Sequence, residues 1–301
     1  MKRMLRWTAW FLAALIVLVG ASAVYVYSSS NSKANRQYAV ALQAVTIPDD
    51  SASVAHGHHL TTAVSKCVEC HGDNLGGKVF IDDPGMGMVV APNITHGVGG
   101  LLDSYSNEEL VRVIRHGVKR DGRSTLIMPV EDYQYLSDED VAAIVAYLHA
   151  ATPVDNSPGV SMLRPVGRIL VAFDAAPLYT AATVDTSLHP PASILPDTSL
   201  EYGRYLANIG GCSGCHGPNL SGGPIPGMPP SAPPAANLTP AALGEMTDAD
   251  IEKMLRLGLK PDGTEIKPEM PWRYTANLTP LEMRATIKYL RSVPAREYGN
   301  R

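Results

Sequence analysis

Two five-residue stretches carry most of the recognisable chemistry in this chain. The first is Cys67-Val68-Glu69-Cys70-His71. The second, Cys212-Ser213-Gly214-Cys215-His216, follows at an offset of 145 residues (67 to 212). A Cys-x-x-Cys-His run is the spacing that attaches a c-type haem. Thiols three residues apart lie about one helical turn apart, so both can add to vinyl groups along one porphyrin edge. The adjoining His is then delivered to the iron as its proximal ligand. Paired cysteines also occur in four-Cys zinc sites and in thioredoxin-like dithiols. Zinc sites of that kind usually leave about 15–20 residues between their Cys pairs. Here the separation is far larger, and a His follows each pair immediately. Covalent haem is the reading adopted, with two haem c groups held through Cys67, Cys70 and His71 and through Cys212, Cys215 and His216. All four cysteines lie in these motifs, so none remains for a structural disulfide.

A low-spin haem needs a second ligand on the face opposite the proximal His. Met128 and Met270 stand at an offset of 142; each is followed by Pro and precedes a helix-capping residue (Ser137, Thr279) by nine positions. They lie 57 and 54 residues beyond the proximal His (71 to 128, 216 to 270), room enough to pass round the haem edge. Met86 and Met228 share a Pro-Gly-Met context and are the rivals, but they follow the His by only 15 and 12 residues. His116 aligns with Leu257 and fails as a shared ligand. Met128 and Met270 are therefore the expected distal ligands. His/Met ligation raises the reduction potential and closes both axial positions, which suits outer-sphere electron transfer better than bond-making chemistry. The proximal His normally donates its other ring nitrogen to a fixed acceptor; the carbonyls of Pro92 and Pro234, in corresponding loops, are the candidates.

Behind these residues stands an internal repeat. Gly57 and Leu60, on a short helix ahead of the first motif, match Gly203 and Leu206; Asn93-Ile94-Thr95 matches Asn237-Leu238-Thr239. Asp73 to Gly100 reads as Gly-rich loop. Ser106 with Glu109 forms a capping box for a helix with an apolar stripe of Leu110, Val113 and Ile114 and a C-cap at Gly117. Its counterpart carries Ile251, Met254, Leu255 and Gly258. A last helix opens at Ser137 and turns Val141, Ile144, Val145 and Leu148 to one side; its partner opens at Thr279-Pro280-Leu281-Glu282, a capping box with Pro at the first helical position. Two copies of one small helical domain account for these landmarks.

The 301 residues suffice for about two domains. Three Phe and three Trp offer little bulk for two apolar cores, and small domains short of core volume need a cofactor or crosslink. A net charge of −4 gives no support to nucleic-acid binding. Residues 52–151 hold 7 Lys/Arg against 13 Asp/Glu, whereas 199–301 hold 11 against 10; scattered surface solvation accounts for such counts. Trp7 to Tyr27 is a charge-free run of 21 residues, which as a helix spans roughly 30 Å, the hydrocarbon core of a bilayer. Trp7 and Trp10 at one end and Tyr25 and Tyr27 at the other fit interfacial positions. Lys2, Arg3 and Arg6 precede the run, so the N-terminus stays cytoplasmic and the rest is exported. A cleaved signal peptide, with Ala21-Ser22-Ala23 at the cleavage site, is the competing reading; the run exceeds the usual signal core of about 7–15 residues, which favours a retained anchor. The chain divides into an anchor and Ser/Asn-rich tether (1–35), a first domain (52–151), a Pro-rich linker (152–198) and a second domain (199–301). The linker is disordered or wraps over a domain; the apolar residues of Leu163 to Phe173 suggest the second, with a short helix.

Taken together, both haem motifs, the two Asn-x-Thr loops, Asp121-Gly122-Arg123, Met128-Pro129, Met270-Pro271 and the two C-terminal helices resemble a membrane-anchored bacterial di-haem cytochrome c. The motif order is similar to the cytochrome c subunits of membrane-bound alcohol, gluconate and aldehyde dehydrogenases, over about residues 53–150 and 199–294. Those subunits commonly carry three haems; this chain has two motifs. The resemblance implies an all-α fold class: two tandem cytochrome c-like helical domains after an N-terminal transmembrane helix. It implies a non-catalytic electron carrier at the periplasmic face of the inner membrane, taking electrons from a periplasmic or membrane-bound dehydrogenase and passing them to an oxidase or other cytochrome. A di-haem peroxidase-like enzyme and a haem-based sensor are the alternatives; the first needs a vacant or displaceable distal position, which the paired Met residues argue against.

Overall fold

The computed structural model describes residues 2–229 and 231–301. It opens with one long helix, α1 (Lys2–Ala34), whose apolar run stands clear of the rest of the molecule and is long and apolar enough to cross a membrane. The Ser/Asn-rich stretch expected as a tether is the last part of this helix rather than loose chain. Its residues Ser29, Ser30 and Lys33 pack on the linker, and that contact holds residues of modest helix propensity in the helix.

The first domain begins with α2 (Ser51–His59), capped by the Asp50 carboxylate, and continues through a π-helical turn (Leu60–Val64) into α3 (Cys67–His71). Then come α4 (Asn107–His116), the one-turn α5 (Val130–Tyr133) and α6 (Asp138–Ala150). The Ser106–Glu109 box closes reciprocally, and Gly117 ends α4 at φ 64°. On α6, Val141, Ile144, Val145 and Leu148 are all buried. On α4 the deeply buried residues are Leu110, Val111 and Arg115, while Val113 and Ile114 are half-covered.

The region read as Gly-rich loop contains a hairpin. Strand β1 (Lys78–Asp83) pairs antiparallel with β2 (Gly87–Ala91), with a bulge between Val79 and Ile81. The run Val79-Phe80-Ile81, the tight turn at Pro84-Gly85 and the run Met88-Val89-Val90 are strand and turn residues, outweighed in the sequence reading by the flanking glycines. The linker completes the sheet: β3 (Met162–Leu163) pairs with β2, and α7 (Pro165–Ala172) packs on both α1 and the hairpin turn. The linker thus wraps and is helical where its apolar residues cluster.

The second domain repeats the plan with α8 (Leu200–Ile209), α9 (Cys212–His216), α10 (Pro240–Leu243), α11 (Asp248–Leu257), α12 (Trp272–Thr275) and α13 (Pro280–Ser292). In each domain the helix before the motif crosses the last helix with almost no gap. Gly57 of α2 lies on the backbone of Ala143, and Gly203 of α8 on that of Ala285; any side chain there would separate the helices. One apolar core runs unbroken from Leu60 in the first domain to Leu290 in the second.

Candidate redox centres

Each Cys-x-x-Cys-His stretch forms a single helical turn entered and left through left-handed residues. Lys66 (φ 53°) and Gly211 (φ 72°) precede the turns; Gly72 and Gly217, both at φ 82°, follow them. This puts the two thiols of each motif on one short helix with the imidazole at its end. The Nδ1–H of His71 donates to the carbonyl of Pro92 at 2.9 Å, as the sequence suggested. The Nδ1–H of His216 donates at 2.6 Å to Ala236, not to Pro234. Ala236 is the true repeat partner of Pro92, at the same offset of 144 as the Asn-x-Thr loops. With Nδ1 committed, Nε2 keeps its lone pair for a metal. Burial holds both rings below the ordinary histidine range, which favours the neutral, ligating form.

The carbonyls that receive these bonds are themselves fixed. Asn93 and Asn237 follow them and are buried. The Asn93 amide donates to Val154 and Asn156, and the Asn237 amide donates to Arg296. Their carboxamide oxygens accept from the backbone of Thr95 and Thr239. The Asn-x-Thr loops thereby lock each imidazole acceptor to the chain beyond the last helix of its domain.

Burial pushes the Cys67 thiol up to about 11 and that of Cys70 up to about 12, and raises Cys212 and Cys215 as well. Thiols held this firmly protonated are poor thiolate nucleophiles, which disfavours the dithiol reading.

Met128 and Met270 occupy matching turns. Pro129 has φ −79° and ψ 59°, Pro271 φ −79° and ψ 49°. The amides of Val130 and Trp272 donate back to the Met carbonyls, each at 2.8 Å. Both Met side chains are half-buried. Of the rivals, Met86 forms the turn between β1 and β2, where its carbonyl accepts from Arg164, and Met228 lies exposed in a loop. Two residues that sequence reading passed over hold the chain beyond the Met turns. Arg115, 1 % exposed, donates to the carbonyl of Leu136 at 2.6 Å and pairs with Asp138. Arg256 donates to the carbonyls of Ala276 and Leu278. The signal was present, since these arginines recur at the offset of 141 that relates α4 to α11.

The two sites are not independent. Lys66, just before the first motif, donates through Nζ to the carbonyl of Gly210, two residues before the second. The Asp132 carboxylate on α5 lies against Gly211, just before the second motif, and faces Gly214 within it. Burial pushes it up to about 7. The Tyr133 hydroxyl donates to Ser65 at 2.6 Å. His59 meets the Glu282 carboxylate at 2.9 Å, and the Tyr205 hydroxyl donates to Asp140. A rigid seam of hydrogen bonds therefore runs beside both motifs.

Comparison with known proteins agrees with this duplicated geometry. Residues 52–148 match the family described as cytochrome C oxidase, cbb3-type, subunit III, and residues 200–294 match cytochrome c. A diheme cytochrome c-type protein of Cereibacter sphaeroides is 30 % identical over 245 residues, covering 74 % of this chain and 76 % of the relative. The chain belongs to the di-haem c-type cytochromes. As a cytochrome c it is an electron-transfer protein that uses haem. It is also similar to the fructose dehydrogenase cytochrome subunit of Gluconobacter japonicus, at 28 % identity over 81 % of this chain and 53 % of the relative. The alcohol dehydrogenase (quinone) cytochrome c subunit of Gluconobacter oxydans is 29 % identical over 82 % of this cytochrome and 56 % of the relative. The cytochrome therefore spans a little over half the length of these dehydrogenase subunits.

Proposed function

We propose that the cytochrome carries two covalent haem c groups and relays electrons from a membrane-bound dehydrogenase-type donor to an oxidase or other acceptor. One group is attached through Cys67 and Cys70, with His71 and Met128 as iron ligands. The other is attached through Cys212 and Cys215, with His216 and Met270. α1 anchors the protein in the inner membrane and leaves both haem domains in the periplasm. When bound, haem supplies a one-electron couple at each site. The protein's own groups would do the rest: the Nδ1 bonds fix each imidazole, Met128 and Met270 on their Met-Pro turns would supply the thioether ligands, and the shared core keeps the two domains in fixed relation. With both the His and the Met of a site committed to iron, haem held there would have no position for substrate, and the thioether would favour its ferrous state.

The observation that supports this reading is that each domain carries both an Nδ1-tethered motif histidine and a Met-Pro turn of the same backbone geometry. The dehydrogenase subunits among its relatives support the donor class. The test is mass and haem staining. Wild-type protein should exceed its polypeptide mass by two haems and keep haem stain on a denaturing gel. The Cys67→Ala/Cys70→Ala variant should lose one haem only, because each domain has its own attachment. Extraction of both haems from the wild type by acid–acetone would overturn the assignment.

A further inference from the structure

The linker presents a helical face that neither domain covers. On α7, Gly167, Val171 and Ala172 turn inward, while Ile169 and the C-cap residue Phe173, four positions on, face outward; Val166 continues the line but lies partly against Gly85 of the hairpin. Val166, Ile169 and Phe173 are 49 %, 47 % and 61 % exposed. This outward edge is not randomly placed. The Phe173 ring lies 5.6 Å from that of Tyr25, and the Arg168 guanidinium sits 4.7 Å over the Tyr27 ring. Tyr25 and Tyr27 end the apolar run of α1, where interfacial aromatics belong. The outward edge therefore starts at the level at which α1 leaves the hydrocarbon and continues the apolar surface of the anchor.

The contact is firmly built. Lys33 caps the carbonyls of Val171 and Ala172 at 2.9 and 3.2 Å and pairs with Asp174 at 2.7 Å. Arg168 also donates to the Ser30 hydroxyl at 3.1 Å, and Ser29 donates to the Ala172 carbonyl. At the other end α7 is seated on the hairpin: Gly167 lies on the Met86 backbone, and Arg164 pairs with Asp82 at 2.8 Å. α7 is thus wedged between the anchor and the first domain, with its apolar edge free.

We propose that α7 is a second membrane contact, with Phe173 and Ile169 inserted at the headgroup–acyl boundary beside the point where α1 emerges. Lys33 and Arg164 are paired with Asp174 and Asp82, while among the described residues Arg168 meets only the Ser30 hydroxyl and the Tyr27 ring and keeps its charge. Apolar burial of Ile169 and Phe173 is the drive that remains on zwitterionic lipid, where Arg168 gains no attraction. The contact fixes how the first domain is held above the bilayer, and with it which face the redox centres offer to partners. The proposal rests on α1 spanning the membrane.

The test uses full-length protein in nanodiscs of zwitterionic phosphatidylcholine. Nitroxide labels go on Ile169→Cys and Phe173→Cys, with Val17→Cys in the span and Leu195→Cys, 76 % exposed, as controls. With the native cysteines taken up in thioethers, each new thiol is labelled alone. Collision with oxygen, which partitions into lipid, is compared with collision with a water-soluble nickel chelate. Positions 17, 169 and 173 should favour oxygen, and position 195 the chelate. If 169 and 173 behave like 195 while 17 stays in lipid, the proposal fails and the anchor stands. If 17 also favours the chelate, the anchor reading fails and takes the proposal with it. Protection of 169 and 173 from both quenchers would place them against protein and overturn the membrane contact.

Discussion

Gly203 is where a small change should be felt most sharply. A Cβ built there would lie 2.1 Å from the Ala285 carbonyl oxygen and 2.8 Å from the Tyr289 Cβ. An ordinary carbon–oxygen contact is about 3.4 Å, so Gly203→Ala requires α8 and α13 to separate by roughly 1.3 Å unless the chain distorts. Both neighbours belong to the α13 backbone or lie at its surface, so no flexible side chain can yield. Overpacking of this kind costs about 1–3 kcal/mol, and a rigid helix–helix clash belongs at the top of that range. Alanine returns about 1 kcal/mol through its better helix propensity. The net expectation is a loss of about 2 kcal/mol. The two domains share one core, so a folding unit of this size should fall by about 4–8 °C in Tm. Differential scanning calorimetry of the haem-loaded protein measures it. Gly57→Ala, against Ala143 and Tyr147, should behave as a twin in the first domain. A Tm equal to or above that of the wild type would show that the helices are not in backbone contact and would refute the reasoning.

Two further outcomes are expected. Asp132 is held up to about 7 by burial, with Lys66 lowering and Glu131 raising its pKa. The folded state therefore binds this proton more tightly than the unfolded chain, and stability is lost as pH rises from about 4 through 7, by at most about 4 kcal/mol. Asp132→Asn should match the wild type in Tm near pH 4 and exceed it at pH 7.5, and equal Tm values at both would contradict the buried carboxylate. If α1 is retained as an anchor, native protein should stay with membranes through high-salt and carbonate washes; soluble protein beginning near Val24 would instead indicate a cleaved signal.

What could be read from the sequence was whatever local rules fix. The Ser106, Ser137 and Thr279 caps, the αL stop at Gly117 and the buried stripe of α6 depend on neighbours a few residues away. The repeat made the duplicated architecture legible. The hairpin was missed because Gly-rich flanks outweighed two short apolar runs that gain stability only when paired with each other and with the linker strand. The helical end of α1 was missed because Ser29 and Ser30 owe their helix to a partner about 140 residues away. In the site, the Pro92 acceptor was anticipated and the Ala236 acceptor misplaced by two residues, since a backbone carbonyl carries no side-chain signature. The seam from Lys66 to Gly210 and from Tyr205 to Asp140 could not be anticipated at all. Nothing in one repeat reports how it docks on the other.

The central claim is that both irons are closed between a motif histidine and a Met-Pro methionine. It is tested most directly by near-infrared spectroscopy of the ferric protein, followed by carbon monoxide addition to the reduced form. The account predicts the weak Met–sulfur band from both haems and no carbon monoxide adduct in the wild type. Met128→Ala should remove the band from one haem, lower its potential and open it to carbon monoxide, whereas Met86→Ala and Met228→Ala should change nothing. Rapid carbon monoxide binding by the wild-type protein, or loss of the band on substituting Met86 or Met228, would contradict it.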